Sequence, residues 1–477
     1  MRQSRRTDSG AGAAVAAGGA ETGARLGPAR LLCAAAVLHL VLSVTVYGLG
    51  HYALSPGTFD DSGVAVAFAS DGVRYRADAA ALSEALWGGE IRHWVGADRP
   101  FHVKLYSICF ALFGPWLGYN VVGAEPLNAL CYLASLFFVF SLGREVFNRR
   151  AGLLAASMVA LWPSFLLHTT QFLKDPLFVV GMLALSLVIV RWLTRDYSWV
   201  QALVTGAAGG LIVTALWLAR AEMGEMLVAT VLLGAVMLVA RTSFSRNHRA
   251  TNLIGMALLV AVTVSVPLVI PDALELGRSP SVARARARQE ALRQAAGEED
   301  AASAPPEPTR THLLSKAAAR VATVRLRFIE MYPDSGSNID GGVQLNDTAD
   351  LLRYLPRAAA VGFFAPFPNM WLAPGKQVGS AGRLLSGLES LAMYAVEGLA
   401  LVGLWRGRRR QSSWFLLSVA AAGVTALGLV VVNVGTLYRL RYAFLILLII
   451  LAAEGAVHIF ERLSKQTREV RERGATG

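Results

Sequence analysis

The chain has 477 residues, of which 54% are hydrophobic and 16% charged, with a formal net charge of +12. Soluble domains carry roughly 25% charged residues, so this composition excludes an ordinary water-soluble globule. The basic excess sits at the ends of long apolar blocks, the pattern of membrane orientation and not of a nucleic-acid-binding face.

Residues 1–30 are rich in Gly, Ala and Arg and read as a disordered cytoplasmic tail. The apolar run from Leu31 to Gly50 is longer than the 7–15 residues of a signal-peptide core and reads as an uncleaved anchor. A helix needs roughly 20 apolar residues to cross a bilayer. Blocks of that kind at 31–50, 125–142, 151–168, 176–194, 200–218, 223–240, 252–271, 386–404, 414–433 and 441–460 give ten predicted spans. Arg144, Arg149 and Arg150, then Arg191 and Arg195, then Arg241, Arg246 and Arg249, then Arg406, Arg408, Arg409 and Arg410 occupy alternate short loops. The tail at 461–477 is basic again. With both termini cytoplasmic, all of these charges fall on the cytoplasmic side.

Two more apolar segments do not fit as spans. Counting 101–120 would invert the charge alternation, and 358–374 contains Pro366, Pro368 and Pro374. Both read as helices lying in the outer interface or dipping in and back out. The expected fold is therefore an all-α polytopic membrane protein, one transmembrane domain at 31–460 with two large external loops at 51–124 and 271–386. Within the second loop, 281–310 is Ala-, Arg- and Glu-rich and then Pro-rich, which predicts an exposed helix and a flexible stretch.

Cys33, Cys109 and Cys131 lie in apolar surroundings without CxxC spacing, which argues against a disulfide framework or a zinc site. His51, His93, His102 and His168 are scattered without ligand spacing, so no metal site is predicted. No G-x-x-x-x-G-K-[ST] loop is present, so ATP-driven transport is not indicated.

Charged groups at the edge of a membrane are costly and mark candidate sites. Asp71 opens a helix-like pattern that runs through Tyr75, Ala79, Leu82 and Leu86. Held by the amides of a helix N-terminus, its carboxylate suits a general base and equally suits a plain cap. Asp60 and Asp61 compete for the same role. Lys174 and Asp175 sit in a very short external turn, as an interfacial anchor or as part of a site. Arg439 and Arg441 lie in an external turn where cations are not favoured. They either snorkel to headgroups or grip a lipid-linked phosphate. Arg220 invites the same two readings, with Glu222 as a candidate salt-bridge partner.

This arrangement resembles the GT-C fold glycosyltransferases, the bacterial relatives of protein O-mannosyltransferases and of lipid A aminoarabinose transferases. SDGVRYRADAAAL is similar to their first-loop pattern, and FHVKLYSICFALFG to the interfacial helix that follows it. The stretch from PLNALCYLASLFF to QFLKDPLF is similar to their next two spans. TLYRLRYAF is similar to their late Tyr-Arg-x-Arg motif. The resemblance implies an inverting transferase of the bacterial inner membrane, taking a sugar from a polyprenyl phosphate on the external face. It implies Asp71 as the base and Asp175 as the second acid, orienting the acceptor or a metal. Arg439, with Arg441 as a second candidate, would hold the donor phosphate, and Tyr75, Lys174, Arg220 and Tyr438 would line the substrate site.

Asp71 is followed by Gly72 where many relatives carry a second acid, which leaves Asp60 and Asp61 in competition for the base. The segment 337–358 matches no general family feature and suits a subgroup that builds or decorates exported polysaccharide; its Arg353 and Arg357 are candidates to contact an acceptor or a phosphate. The partners implied are a lipid-linked sugar donor and a glycan, lipid or protein acceptor, with no nucleic acid. A divalent cation is left open as cofactor. Two other readings stand beside this one. A polymerase or ligase using a polyprenyl-diphosphate glycan has the same gross layout. A transporter or flippase is disfavoured because no paired broken helices or repeated intramembrane acids are found in two halves.

Overall fold

Lipid offers no hydrogen-bond partners, so a chain of apolar blocks must pair its own backbone, and it does so here as helix. The computed structural model describes residues 27–54, 59, 69, 71–244, 250–270, 313–331, 336–343, 345, 347–372 and 379–475. Asp60, Asp61, Arg246, Arg249, the 281–310 stretch and residues 1–26 of the expected tail lie outside the described residues.

Helix α1 (Pro28–His51) is followed by α2 (Asp71–Trp87), α3 (Ile91–Gly96) and α4 (Phe101–Leu117). The bundle continues with α5 (Val121–Val146), α6 (Arg149–Ala160), α7 (Pro163–Thr169), α8 (Asp175–Thr194), α9 (Trp199–Ala219), α10 (Gly224–Phe244) and α11 (Thr251–Val269). Then come α12 (Leu313–Met331), α13 (Thr348–Phe364), α14 (Gly379–Gly407), α15 (Gln411–Val430), α16 (Val434–Leu440) and α17 (Tyr442–Ala475).

Among the described residues nine helices are long and apolar enough to cross a membrane, and α6 with α7 forms a tenth apolar unit bent by 68°. The chain is a multi-pass, all-helical membrane protein, and each of the ten predicted spans has its helical counterpart. The one that is not straight is 151–168. Pro163 has no N–H to continue α6 and instead opens α7 at its first position.

Helix α17 is the axis. From Tyr442 to Ala453 every residue is buried, and a helix apolar on all faces belongs in the interior. Its neighbours approach closely because small residues face each other. A methyl at Gly403 on α14 would lie 1.9 Å from the Leu451 carbonyl oxygen, and one at Gly428 on α15 would lie 2.0 Å from that of Ala358 on α13.

The loops fall at two ends. At one, Arg195 pairs with Glu145 at 2.5 Å, Arg241 with Asp196 at 3.1 Å and Arg150 with Glu461 at 3.0 Å. At the other, α2, the α7–α8 turn, the α9–α10 turn and α16 converge. Helix α4 packs Val103, Tyr106 and Phe110 against Ala79 and Leu82 of α2, and its 17 residues fall short of a span.

The second unusual apolar segment begins earlier than the 358–374 pattern suggests. Asp347 caps α13 by accepting the Asp350 N–H at 2.8 Å, so the helix starts at Thr348. It then runs antiparallel to α15, with Ala358 against Gly428 and Gly362 against Val424. The Phe364 carbonyl accepts the Tyr394 hydroxyl at 2.7 Å, roughly four turns into α14. The segment dips into the bundle beside α15 and returns.

Gly428→Val tests this packing. Overpacking of this kind costs about 1–3 kcal/mol, so the variant is expected to melt at lower temperature in detergent. Gly398→Ala, whose added methyl meets nothing within 4 Å, is expected to melt like the parent. Equal melting of the two variants would refute the close α13–α15 contact.

Candidate functional site

Helix ends place the charges. Asp175 is the first residue of α8, preceded by Lys174 at the N-cap and followed by Pro176, which needs no acceptor for its nitrogen. Arg220 follows the last residue of α9 with a non-helical backbone, φ −157° and ψ 68°, and its side chain reaches across to α8. Its Nη2 donates to Asp175 Oδ1 at 2.6 Å, and both residues are buried, at 5% and 7% exposure. Lys174 Nζ donates to Glu222 Oε1 at 2.5 Å, and the same oxygen lies 4.0 Å from Arg220 Nε.

Asp71 stands in the first turn of α2. Its Oδ2 lies 3.7 Å from Arg439 Nη2, with the Asp71 side chain 52% exposed and that of Arg439 14%. Tyr75, one turn further along α2, meets the His102 ring edge-on at 4.4 Å. Burial and the Asp71 charge raise the Tyr75 hydroxyl's pKa well above its ordinary value, so it stays protonated. His102 is buried, and neither ring nitrogen has a hydrogen-bond partner among the described residues. Burial, then the Lys174 and Arg220 charges, lower its pKa and keep it neutral.

The structure thus brings together Asp71, Tyr75, Lys174, Asp175, Arg220 and Arg439, six residues named from sequence. Glu222 joins them with Lys174 as its main partner. Sequence reasoning set His102 aside as one of four scattered histidines, although its ring packs against Tyr75 at this site. It missed Glu389, an acid inside the predicted span at 386–404. Among the described residues no three His, Cys, Asp or Glu converge as a metal-ligand set.

The other named residues lie elsewhere. Arg441 is buried, and its Nη1 donates to the carbonyls of Gly362 at 3.1 Å and Ala365 at 2.6 Å. It closes the C-terminus of α13, where orphaned carbonyls need donors. Tyr438 donates its hydroxyl to Glu389. Arg357 grips Asp340 with both arms, Nε to Oδ2 at 2.8 Å and Nη2 to Oδ1 at 3.2 Å. Arg353 is exposed.

No protein-family model matches the chain, and no curated protein matches it. Among solved structures it is similar to the archaeal oligosaccharyltransferase AglB from Archaeoglobus fulgidus, determined in complex with an inhibitory peptide and a dolichol-phosphate. The identity is 13% and the TM-score 0.45, over 92% of this chain and 51% of that one. The chain therefore spans about half the length of that protein.

Two predictions follow from the ion pairs. Arg220→Leu strands a buried carboxylate, which costs about 3–5 kcal/mol, and pairing it with Asp175→Leu recovers most of that loss. Thermal unfolding of the single and double variants measures it, and a double variant no more stable than the single would contradict it. Asp340 is held below the usual carboxylate range by its Arg357 hydrogen bonds. Its stabilising contribution is complete above the unfolded value of about 3.9 and is lost as pH falls through the depressed folded value. The melting difference between the parent and Arg357→Gln is therefore expected to shrink on acidification from about pH 5 toward pH 2. A constant difference would refute the pairing.

Proposed function

We propose that this protein is an integral membrane glycosyltransferase. It moves a sugar from a polyprenyl-phosphate donor to an acceptor hydroxyl at the external, periplasmic face of a bacterial inner membrane. The bundle crosses ten times with both termini cytoplasmic. The observation that carries the reading is a half-exposed carboxylate, Asp71, facing a cation, Arg439, beside a buried Asp175–Arg220 pair. This group stands at the end of the bundle opposite the basic loops.

In this reading Asp71 takes the proton of the acceptor hydroxyl as its oxygen attacks the anomeric carbon. The carbon–oxygen bond to phosphate breaks, its electron pair leaves on the phosphate, and Arg439 compensates the developing charge. Attack opposite the leaving group inverts the anomeric centre. Asp175, held rigid by Arg220, orients the acceptor from below, and Tyr75 and Lys174 border the same space.

The 3.7 Å contact sets a condition. A sugar between base and phosphate ligand needs roughly 7 Å or more, because the acceptor hydroxyl and the anomeric carbon must both fit. Donor entry therefore separates Asp71 from Arg439, and the phosphate takes over Arg439 from the carboxylate. Asp71→Asn is expected to abolish sugar transfer yet to bind undecaprenyl phosphate at least as tightly as the parent. Arg439→Ala is expected to weaken that binding strongly, leaving the residual affinity of the lipid tail. Transfer assays and lipid-phosphate titration on purified protein measure both.

In cells, a deletion strain is expected to accumulate a polyprenyl-phosphate monosaccharide. Accumulation of a diphosphate-linked repeat unit would replace this reading by the polymerase or ligase. Full glycan assembly in both Asp71→Asn and Asp175→Asn strains would sink it.

A further inference from the structure

Breaking a helix frees backbone N–H groups at the restart. At the α6–α7 bend one of these finds its acceptor on a distant helix. Glu389, 5% exposed on apolar α14, accepts the Ser164 N–H at 2.6 Å through Oε1 and the Tyr438 hydroxyl through Oε2. The Tyr442 hydroxyl donates to Ser164 Oγ at 2.5 Å. The Tyr438 and Tyr442 rings meet edge to face at 5.9 Å, and the Arg441 guanidinium lies 4.6 Å over the Tyr438 ring.

A carboxylate in an apolar span is costly, and its cost is offset only where its acceptor capacity is used. Here both oxygens are used, and each holds a different half of the site. Ser164 is the second residue of α7, whose far end leads into Lys174 and Asp175. Tyr438 directly precedes Arg439 on α16, a helix of seven residues. Such a helix has almost no stability of its own. The hydroxyl of Tyr438 is its tie to the bundle, and the rotation of the helix decides where the next side chain points.

We propose that Glu389 is a positioning residue for the transfer reaction. It ties the bent span to α16 and thereby sets Arg439 against Asp71 and Asp175. The proposal rests on the reading of Arg439 as the donor-phosphate ligand. Without Glu389 the Ser164 N–H and the Tyr438 hydroxyl both lose this acceptor, and α16 loses its anchor on the bundle side. A displacement of 1 Å at a reacting group is worth up to about 100-fold in rate.

The test uses purified full-length protein with undecaprenyl phosphate as probe, read by binding and by transfer. Glu389→Ala is expected to lower kcat/KM about 10- to 100-fold and to weaken lipid-phosphate binding. Glu389→Gln keeps an acceptor for Ser164 and a donor for the Tyr438 oxygen, and is expected to restore most of both. Tyr438→Phe, which removes one hydroxyl and keeps the ring, is expected to weaken binding in the same direction, and it decides the matter if Glu389→Ala does not fold. In an Arg439→Ala background neither change is expected to weaken binding further, because both act through Arg439. Strongly weakened binding in Arg439→Ala with full binding in Tyr438→Phe overturns the tether alone. Equal weakening by Glu389→Ala with and without Arg439 also overturns it. Intact binding in Arg439→Ala overturns the donor reading, and the tether falls with it.

Discussion

Every interruption of a helix inside lipid leaves carbonyls or N–H groups that water cannot serve, and a side chain from another element must serve them. That constraint organises this bundle. Arg441 reaches the last carbonyls of α13. Arg325 on α12 donates to the Leu429 carbonyl near the end of α15 at 2.8 Å. Arg241 and Asn252 both reach the Trp192 carbonyl near the end of α8, and Arg410 reaches that of Val146 at the end of α5. Arginine suits the task because its charge also complements the negative end of the helix dipole. Arg241 and Arg410, two of the arginines in the basic loops, thus also close helices.

At the opposite end the charges balance. Lys174, Arg220 and Arg439 face Asp71, Asp175 and Glu222, so an anionic ligand must displace a carboxylate. The pairs are not equally exchangeable. Opening Asp175–Arg220 would leave two buried charges uncompensated, a cost of several kcal/mol. Asp71–Arg439 is longer, at 3.7 Å against 2.6 Å, and its carboxylate stands half in solvent. Water can take over Asp71 when a ligand takes Arg439, so this is the pair that can open at modest cost.

The spans were legible because apolar length and basic flanks are local properties of sequence. So was the start of α2 at Asp71, a carboxylate before a small-residue helical pattern. Asp175 and Arg220 could be named because each is a charge in a short turn between apolar blocks, although nothing local says that they meet. Arg439 and Arg441 show the limit. Two residues apart, they point about 200° apart around a helix, so one can face Asp71 while the other faces the bundle. Sequence alone could not say which, because the answer lies in the carbonyls of a helix some 75 residues earlier. Glu389 was invisible for a related reason: its partners, Ser164 and Tyr438, belong to a bend and to a turn far away in the chain.

The same long-range logic explains why Arg439 rides on so short an element. Helix α16 is held from outside the bundle as well as from within. The Ile339 N–H donates to the Val432 carbonyl at 2.9 Å, and the Val434 N–H to the Ser337 carbonyl at 3.1 Å. Asn433 caps α16 by accepting the Thr436 N–H at 3.0 Å and donates to Ser337 Oγ at 3.1 Å. The 336–343 segment is itself fixed where Arg325 donates to the Asp340 carbonyl and Arg357 clasps its carboxylate. A long rigid helix would carry Arg439 in one orientation whatever happened around it. A seven-residue helix takes its orientation from its contacts, here residues 337–339 on one side and Glu389 on the other. Arg439, the partner of Asp71, is therefore mounted where both that segment and the apolar bundle act on it.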